Sequence, residues 1–328
     1  MSILTTLFKD QLKVFRKRLW LSSLGARVCY NKGSIEDLLF KDHRIINTEG
    51  RAEFLKKLAF KYYHTSVFAH TFNYFALTRP LGYSQLLSLG YPEDIARDIY
   101  SIHTENEEIS KVIGISLLGG AYFKSVPIPK DKVIGLSFRC FVEDADEEEM
   151  EVLNDLIENS TDPDYNKSIG LDEFLEGKLK TVLLYYDLCH TGYAVFLIKD
   201  ISRATTHQLV RHTKLNYSQR SQRYVREGKE DSYITPKVKP PAEKTFKAFY
   251  KYANVVYNLL VEQHKVKKED ARFILPNATK TVIMVSGTLK DIDDFIQKRI
   301  IHQAQWEIRE IAEEMRYLLS RINKKEVN

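Results

Sequence analysis

The chemistry-bearing residues of this chain gather in Ser202 to Tyr224, which reads SRATTHQLVRHTKLNYSQRSQRY. Arg203, His207 and Arg211 fall at i, i+4 and i+8, on one face of a helix. Beyond Arg211-His212 the segment is polar, lacks a sustained apolar period and reads as a loop over 213–224. Arginine grips phosphate in a fork, glutamine pairs with an amide-like ring edge, and serine adds a short donor. Together they suit an anion with a flat, hydrogen-bonding body. A solvated basic helix end is the other reading of such a run.

The elements that must hold this segment follow from apolar spacing. Residues 5–24 read as an amphipathic helix through Leu7, Leu12, Phe15, Leu19 and Leu24, followed by GARVCYNKGS, a short apolar run between glycines. A helix over about 50–63 leads to His64-Thr65-Ser66, and TFNYFAL reads as a strand. Over 78–180 the pattern changes. Pro80, Gly82, Gly90 and Pro92 interrupt it, helical pieces follow near 93–118, VPIPKDKVIGLSFRCFVED reads as a hairpin or a strand pair, and DADEEEMEVLNDLIENSTDPD reads as an acidic, solvated helix ending in a loop. The run at 191–202 returns to strand character. A helix follows over 243–263, with Phe246, Phe249, Ala253, Val256 and Leu260 on one stripe, then a turn in KKEDARFILP and a strand in KTVIMVSG. A short helix from Asp291 carries Ile292, Phe295 and Ile296 with Arg299 on their face, an unusual place for an unpaired guanidinium. The last helix covers about 303–322, with Trp306 and Tyr30 assigned to packing.

Composition bounds the partners. A net charge of +5 and a pI near 8.8 suit an anionic small molecule and are too weak to require nucleic acid. The start carries charges inside its apolar run, unlike a signal peptide, and no stretch is apolar enough to span a bilayer. Cys29, Cys140 and Cys189 are far apart and odd in number. They fit neither a disulfide framework nor a zinc site and point to the cytoplasm.

Separated blocks resemble the flavin-dependent thymidylate synthases. ARVCY (26–30) and HTSVFAH (64–70) are similar to that family's N-terminal half. The 202–224 segment resembles its Arg-His-Arg signature with a following serine, and ARFILPNAT (271–279) and RIIHQAQWEIREIA (299–312) its C-terminal half. The resemblance implies reductive methylation of dUMP to dTMP. Methylenetetrahydrofolate would be carbon donor, reduced FAD the hydride source and NADPH the reductant. It implies that Arg299 activates the uracil ring electrostatically. Gln208, Arg211, Gln219, Arg220, Ser221, Arg223 and Arg272 would contact dUMP, with Ser221 not a covalent nucleophile. His64, Ser66, Arg211, His212 and Gln219 would contact flavin. The sequence departs from the family at Thr213, where an arginine is usual, at Ala69 in place of a glutamate, and at Thr288 and Lys290 in place of Asn and Arg. Together these departures bear on flavin affinity and geometry more than on dUMP binding. Lys214 or Lys290 could restore the charge missing at Thr213.

The expected fold is mixed α/β (α+β). A central sheet is flanked by long helices, of the thymidylate synthase-complementing-protein type, with an inserted accessory lobe. Residues 1–77 and 181–328 would form the catalytic domain and 78–180 the lobe. The resemblance implies a homotetramer with sites between subunits. The alternatives are a diverged paralogue that binds a nucleotide without turnover or acts on another pyrimidine, and a module using the basic segment to bind single-stranded nucleic acid.

Overall fold

The structure, a computed structural model, describes residues 11–76, Glu93, 127–128, 133–189, 192–229 and 231–322. The chain forms two units that interleave in sequence. One comprises 1–24, 41–163 and 188–192, the other 25–40, 164–187 and 193–328. Of the expected lobe, 78–92, 94–126 and 129–132 lie outside the described residues, 133–163 belongs to the first unit and 164–180 to the second.

The first unit is built on aromatic packing. Phe15, in the 3-10 helix Leu12–Lys17, has ring centroids 5.3, 5.1 and 5.5 Å from those of Phe75, Phe138 and Phe141. Helix α1 (Leu19–Tyr30) starts in this unit and continues through Gly25 into the second. The glycine-flanked run 26–30 is therefore helical. Burial of Leu24, Ala26 and Val28 outweighs the weak helix propensity of one glycine. Helix α2 (Thr48–Lys56) runs into a π turn, Lys57–Lys61, and a 3-10 helix, Thr65–His70. Strand β1 (Phe72–Ala76) follows, β2 (Pro127–Ile128) and β3 (Val133–Ser137) form the expected strand pair, and β3 lies between β1 and β2, antiparallel to both. SFRCFVED departs from that expectation by turning into α3 (Phe138–Asp144). The acidic helix is α4 (Glu147–Glu158), started by a capping box between Asp146 and Glu149.

The second unit is an antiparallel sheet in the order β4-β5-β7-β6, formed by β4 (Thr181–Asp187), β5 (Tyr193–Ser202), β6 (Asn216–Gln219) and β7 (Lys280–Thr288). Residues 193–198 of β5 are buried on both faces, which explains their unbroken apolar run. Each large apolar side chain so buried contributes about 1.5–3 kcal/mol. A bulge interrupts the β5–β7 register between Ile198 and Ile201, with Asp200 at φ 53°. Helix α5 (Arg203–Leu209) follows β5 directly, capped by the Ser202 side chain on Thr205 N–H. Helix α6 (Pro240–Asn258) continues into a π turn, and α7 (Lys268–Ala271) is a single turn. Helices α8 (Leu289–Arg299) and α9 (Trp306–Ser320) pack Ile292, Phe295, Ile296, Ile308, Ile311 and Met315 with Phe196, Ile198, Ile283 and Val285 of the sheet.

Three expectations need correction. The segment 213–224 is not all loop: Asn216–Gln219 is a strand paired with β7 at the sheet edge, so backbone pairing rather than an apolar period makes it. The apolar stripe of α6 is only partly turned inward. Tyr250, Ala253 and Tyr257 are buried, whereas Phe246 and Phe249 are exposed. Asn254 and Asn258 donate to the Lys229 and Gly228 carbonyls and Tyr250 stacks on Tyr233, so this polar-aromatic edge sets the inward face. Trp306, assigned to the core, is half-buried instead, with the Lys180 and Lys237 ammonium groups over its ring.

Candidate functional site

Helix α5 is pinned at its start by one buried carboxylate. Glu307 is 1% exposed, and its oxygens accept from Ser202 N–H at 2.8 Å, Ser202 Oγ at 2.5 Å and Thr205 Oγ1 at 2.6 Å. Gln305 caps α9 through Glu307 N–H and Ile308 N–H, which fixes that carboxylate in turn. The last turn of α5 then presents Gln208, and Arg211-His212 follow it.

Arg299, the last residue of α8, meets this turn. Its Nε donates to His212 Nε2 at 3.0 Å and its Nη2 lies 3.5 Å from the Gln208 carbonyl. No carboxylate pairs with Arg299 among the described residues. Burial, with the nearby Arg299 charge, lowers the His212 pKa, as an imidazole accepting from a guanidinium must be neutral. The Phe295 ring meets His212 edge-on at 4.9 Å. The position of Arg299 on an apolar face thus has a cause. It is held by a neutral ring and a main-chain carbonyl, and no described carboxylate compensates its charge. The side-chain amide of Gln208 and the exposed guanidinium of Arg211 have no partner among the described residues.

A second cluster lies at the other end of α5. Glu269 accepts from Arg223 Nε at 3.1 Å through its carboxylate and from Arg272 Nε at 3.0 Å through its carbonyl. One residue thereby gathers two guanidinium groups. The Ser221 hydroxyl accepts from Arg223 N–H and closes the turn, while Ser221 N–H donates to the Cys29 carbonyl. Among the described residues no imidazole, amine or carboxylate bonds the Ser221 hydroxyl, in keeping with a binding role. Glu269 was missed in the sequence; its signal was the i, i+3 spacing Glu269-x-x-Arg272 on one helical turn.

Other residues expected in the site are placed elsewhere. Gln219 bonds Thr206 Oγ1 at 2.9 Å, on the α5 side of the sheet. Arg220, next along, points to the opposite face and reaches Glu227 at 3.5 Å. It lines a cleft of about 330 Å³ with Asp200, Glu227, Lys229 and Lys280. Glu227 is 3% exposed, and burial raises its carboxyl pKa against the opposing pull of Arg220 and Arg203. His64 and Ser66 belong to the first unit, His64 half-buried with its pKa lowered by burial and Ser66 exposed. Ala69 is buried there.

The departures have local explanations. Thr288 caps α8, its hydroxyl accepting from Asp291 N–H at 3.1 Å and bonding the Asp291 carboxylate at 2.7 Å. Thr and Asn both serve that role, so this change leaves the turn intact. Thr213 is exposed, and Lys214 sits 3.8 Å from Asp291. Exposed Lys290 has no partner among the described residues.

The fold is mixed α/β, and its clusters set Arg299 beside a neutral imidazole and gather Arg223 and Arg272 around Glu269. Residues 186–323 match the family model described as thymidylate synthase complementing protein. A flavin-dependent thymidylate synthase of Saccharolobus solfataricus is 35% identical over 158 residues, 46% of this chain and 60% of its own length. That of Pyrococcus furiosus is 39% identical over 125 residues, 37% of this chain and 51% of its own. That of Geobacter sulfurreducens is 38% identical over 164 residues, 45% of this chain and 69% of its own. The chain belongs to the flavin-dependent thymidylate synthase family. It spans between about half and three fifths of the length of the first two relatives.

Proposed function

We propose that the chain catalyses reductive methylation of dUMP to dTMP, with methylenetetrahydrofolate as carbon donor, FAD as cofactor and NADPH as the reductant. The observation that carries this reading is Arg299 bonded to a neutral His212 and to no carboxylate among the described residues. A guanidinium so held keeps its full charge for negative charge developing on the uracil N3 and carbonyl region, which is what makes C5 nucleophilic. The Gln208 amide is free to pair with the ring edge. Arg223 and Arg272, gathered by Glu269, supply the phosphate cradle, and the Ser221 turn adds main-chain geometry.

The chain fits FAD in one respect that can be read from its own side chains. Arg211 and Lys290 are exposed cations without partners among the described residues, suited to a diphosphate. Bound FAD would supply hydride. Around it, His212 would hold Arg299, and Gln219 would add a cofactor contact. We further propose a cytoplasmic homotetramer with sites completed between copies. The exposed Phe246, Phe249, Tyr252 and Val255 stripe of α6 supports association. No helix among the described residues is long and apolar enough to cross a membrane.

A second reading, a nucleotide-binding paralogue without turnover, draws support from Thr213 and from Lys214 being engaged with Asp291. An absorbance spectrum of the purified protein separates the two, followed by NADPH oxidation with and without dUMP and methylenetetrahydrofolate. Flavin absorbance with dTMP formed only in the full mixture supports the enzyme. A colourless protein that binds dUMP and forms no dTMP supports the paralogue.

A further inference from the structure

Arg203 opens the basic helix face at i, i+4, i+8, and the proposed reaction leaves it without a task. The structure gives it a distinctive place. It is the first residue of α5, half-buried, and its Nη2 donates at 2.5 Å to the carbonyl of Arg220, the residue ahead of Ser221. Its Nε is buried with no partner among the described residues. Arg220 is anchored from two more sides, by its N–H on the Val282 carbonyl at 2.9 Å and by its guanidinium on Glu227 at 3.5 Å. The main chain entering the Ser221–Arg223 turn is thus held by a strand pair, a carboxylate on the Arg220 side chain and one N–H of the Arg203 guanidinium.

The charges around Arg203 are unbalanced. Glu227 is the carboxylate acting on it, against the like charges of Arg220 and Arg272. Burial together with those arginines lowers its pKa, and Glu227 opposes the shift. A guanidinium with a spare donor beside a second arginine is stabilised by an arriving dianion more than by the protein around it.

We propose that Arg203 is a positioning residue of the phosphate cradle, holding the Arg220 carbonyl so that Ser221 and Arg223 face the anion and adding positive charge beside Arg272. This rests on the dUMP reading for the identity of the ligand but not for its anionic group. The residue acts on the phosphate end alone, so its loss affects a phosphorylated ligand and spares the unphosphorylated nucleoside.

The test uses the full-length protein and measures binding of dUMP, deoxyuridine and inorganic phosphate to wild type, Arg203→Met and Arg203→Lys by calorimetry, with thermal melting as a folding control. Arg203→Met is expected to weaken dUMP and phosphate by about tenfold to a hundredfold, the range for one charged hydrogen bond, and to leave deoxyuridine unchanged. Arg203→Lys, which keeps the charge without the fork, recovers part of the loss and serves alone if Arg203→Met does not fold. Equal losses for dUMP and deoxyuridine, or no loss for either, overturn the proposal. If wild type binds phosphate and several nucleotides alike, and Arg203→Met loses them all, the positioning role stands while the dUMP reading fails. Binding of neither phosphate nor dUMP by wild type overturns both.

Discussion

Replacing Glu307 with alanine isolates the contribution of the carboxylate beneath α5. In the structure it satisfies one main-chain N–H and two hydroxyls, all shielded from water. Hydrogen bonds to a charged acceptor contribute about 1.5–3 kcal/mol each, but the bonds form one network and do not add. The Ser202 hydroxyl also keeps its bond from Thr205 N–H, and both hydroxyls can turn toward other acceptors. What is certainly stranded is the Ser202 N–H, together with a small cavity. A loss of about 2–4 kcal/mol follows, from one unsatisfied buried donor at about 1–3 kcal/mol and a cavity at about 1 kcal/mol. Glu307→Gln retains an acceptor for Ser202 N–H and can donate to a hydroxyl, so its loss is about 1 kcal/mol. Urea denaturation followed by fluorescence measures both, since Trp306 adjoins the site and only Trp20 accompanies it. With a urea slope of about 3 kcal/mol/M, the alanine midpoint falls by roughly 0.7–1.3 M and the glutamine midpoint by roughly a third of a molar. If alanine cost under about 1 kcal/mol, or glutamine as much as alanine, the network would not be what anchors the helix.

Further outcomes concern the two clusters. Arg299→Lys is expected to lower kcat for dTMP formation by about a hundredfold to a thousandfold with little change in dUMP affinity, the signature of a group acting on developing charge. His212 has its pKa depressed below the ordinary value of about 6.5, so the unfolded chain takes up its proton first. Its stabilising contribution is therefore complete above about pH 6.5 and lost as pH falls toward the folded value. Stability profiles of wild type and His212→Asn should run parallel above neutrality and converge below it; parallel lines throughout refute the linkage. Arg223→Ala and Glu269→Gln should each raise the KM for dUMP, by about tenfold for the arginine, while leaving kcat within about twofold, read from steady-state kinetics.

What could be read from the sequence depended on whether a residue's partner was near it. Strands β5 and β7 and helices α8 and α9 were visible because burial imposed its period on Val195–Ile198, Ile283–Val285, Ile292–Ile296 and Ile308–Met315. Strand β6 was not, because Asn216–Gln219 is polar on both faces and owes its form to backbone bonds with β7. Placing β6 would also have sent Gln219 and Arg220 to opposite faces, which a loop assignment hid. Arg299 stood out as an arginine among apolar neighbours. The carboxylates Glu227, Glu269 and Glu307 did not, because each becomes informative only beside its cations or hydroxyls, which for Glu307 lie about a hundred residues away. Thr288 read as a lost cofactor contact and is a helix cap, a role that spacing to Asp291 could have suggested.

The interleaving of the two units bears on how the protein comes to exist. The path passes from one unit to the other after residues 24, 40, 163, 187 and 192. Strand β4 is therefore synthesised before its neighbour β5, and β7, which closes the other side of β5, about eighty residues later still. No nascent chain that stops short of Thr288 holds the complete sheet, so the second unit must wait, with an apolar strand uncovered, until β7 has left the ribosome. Production of this protein should consequently respond to chaperone supply and growth temperature more than its settled stability would suggest. A contiguous fragment such as 193–322, attractive for expression because it carries both arginine clusters, would leave β5 without β4 and should aggregate.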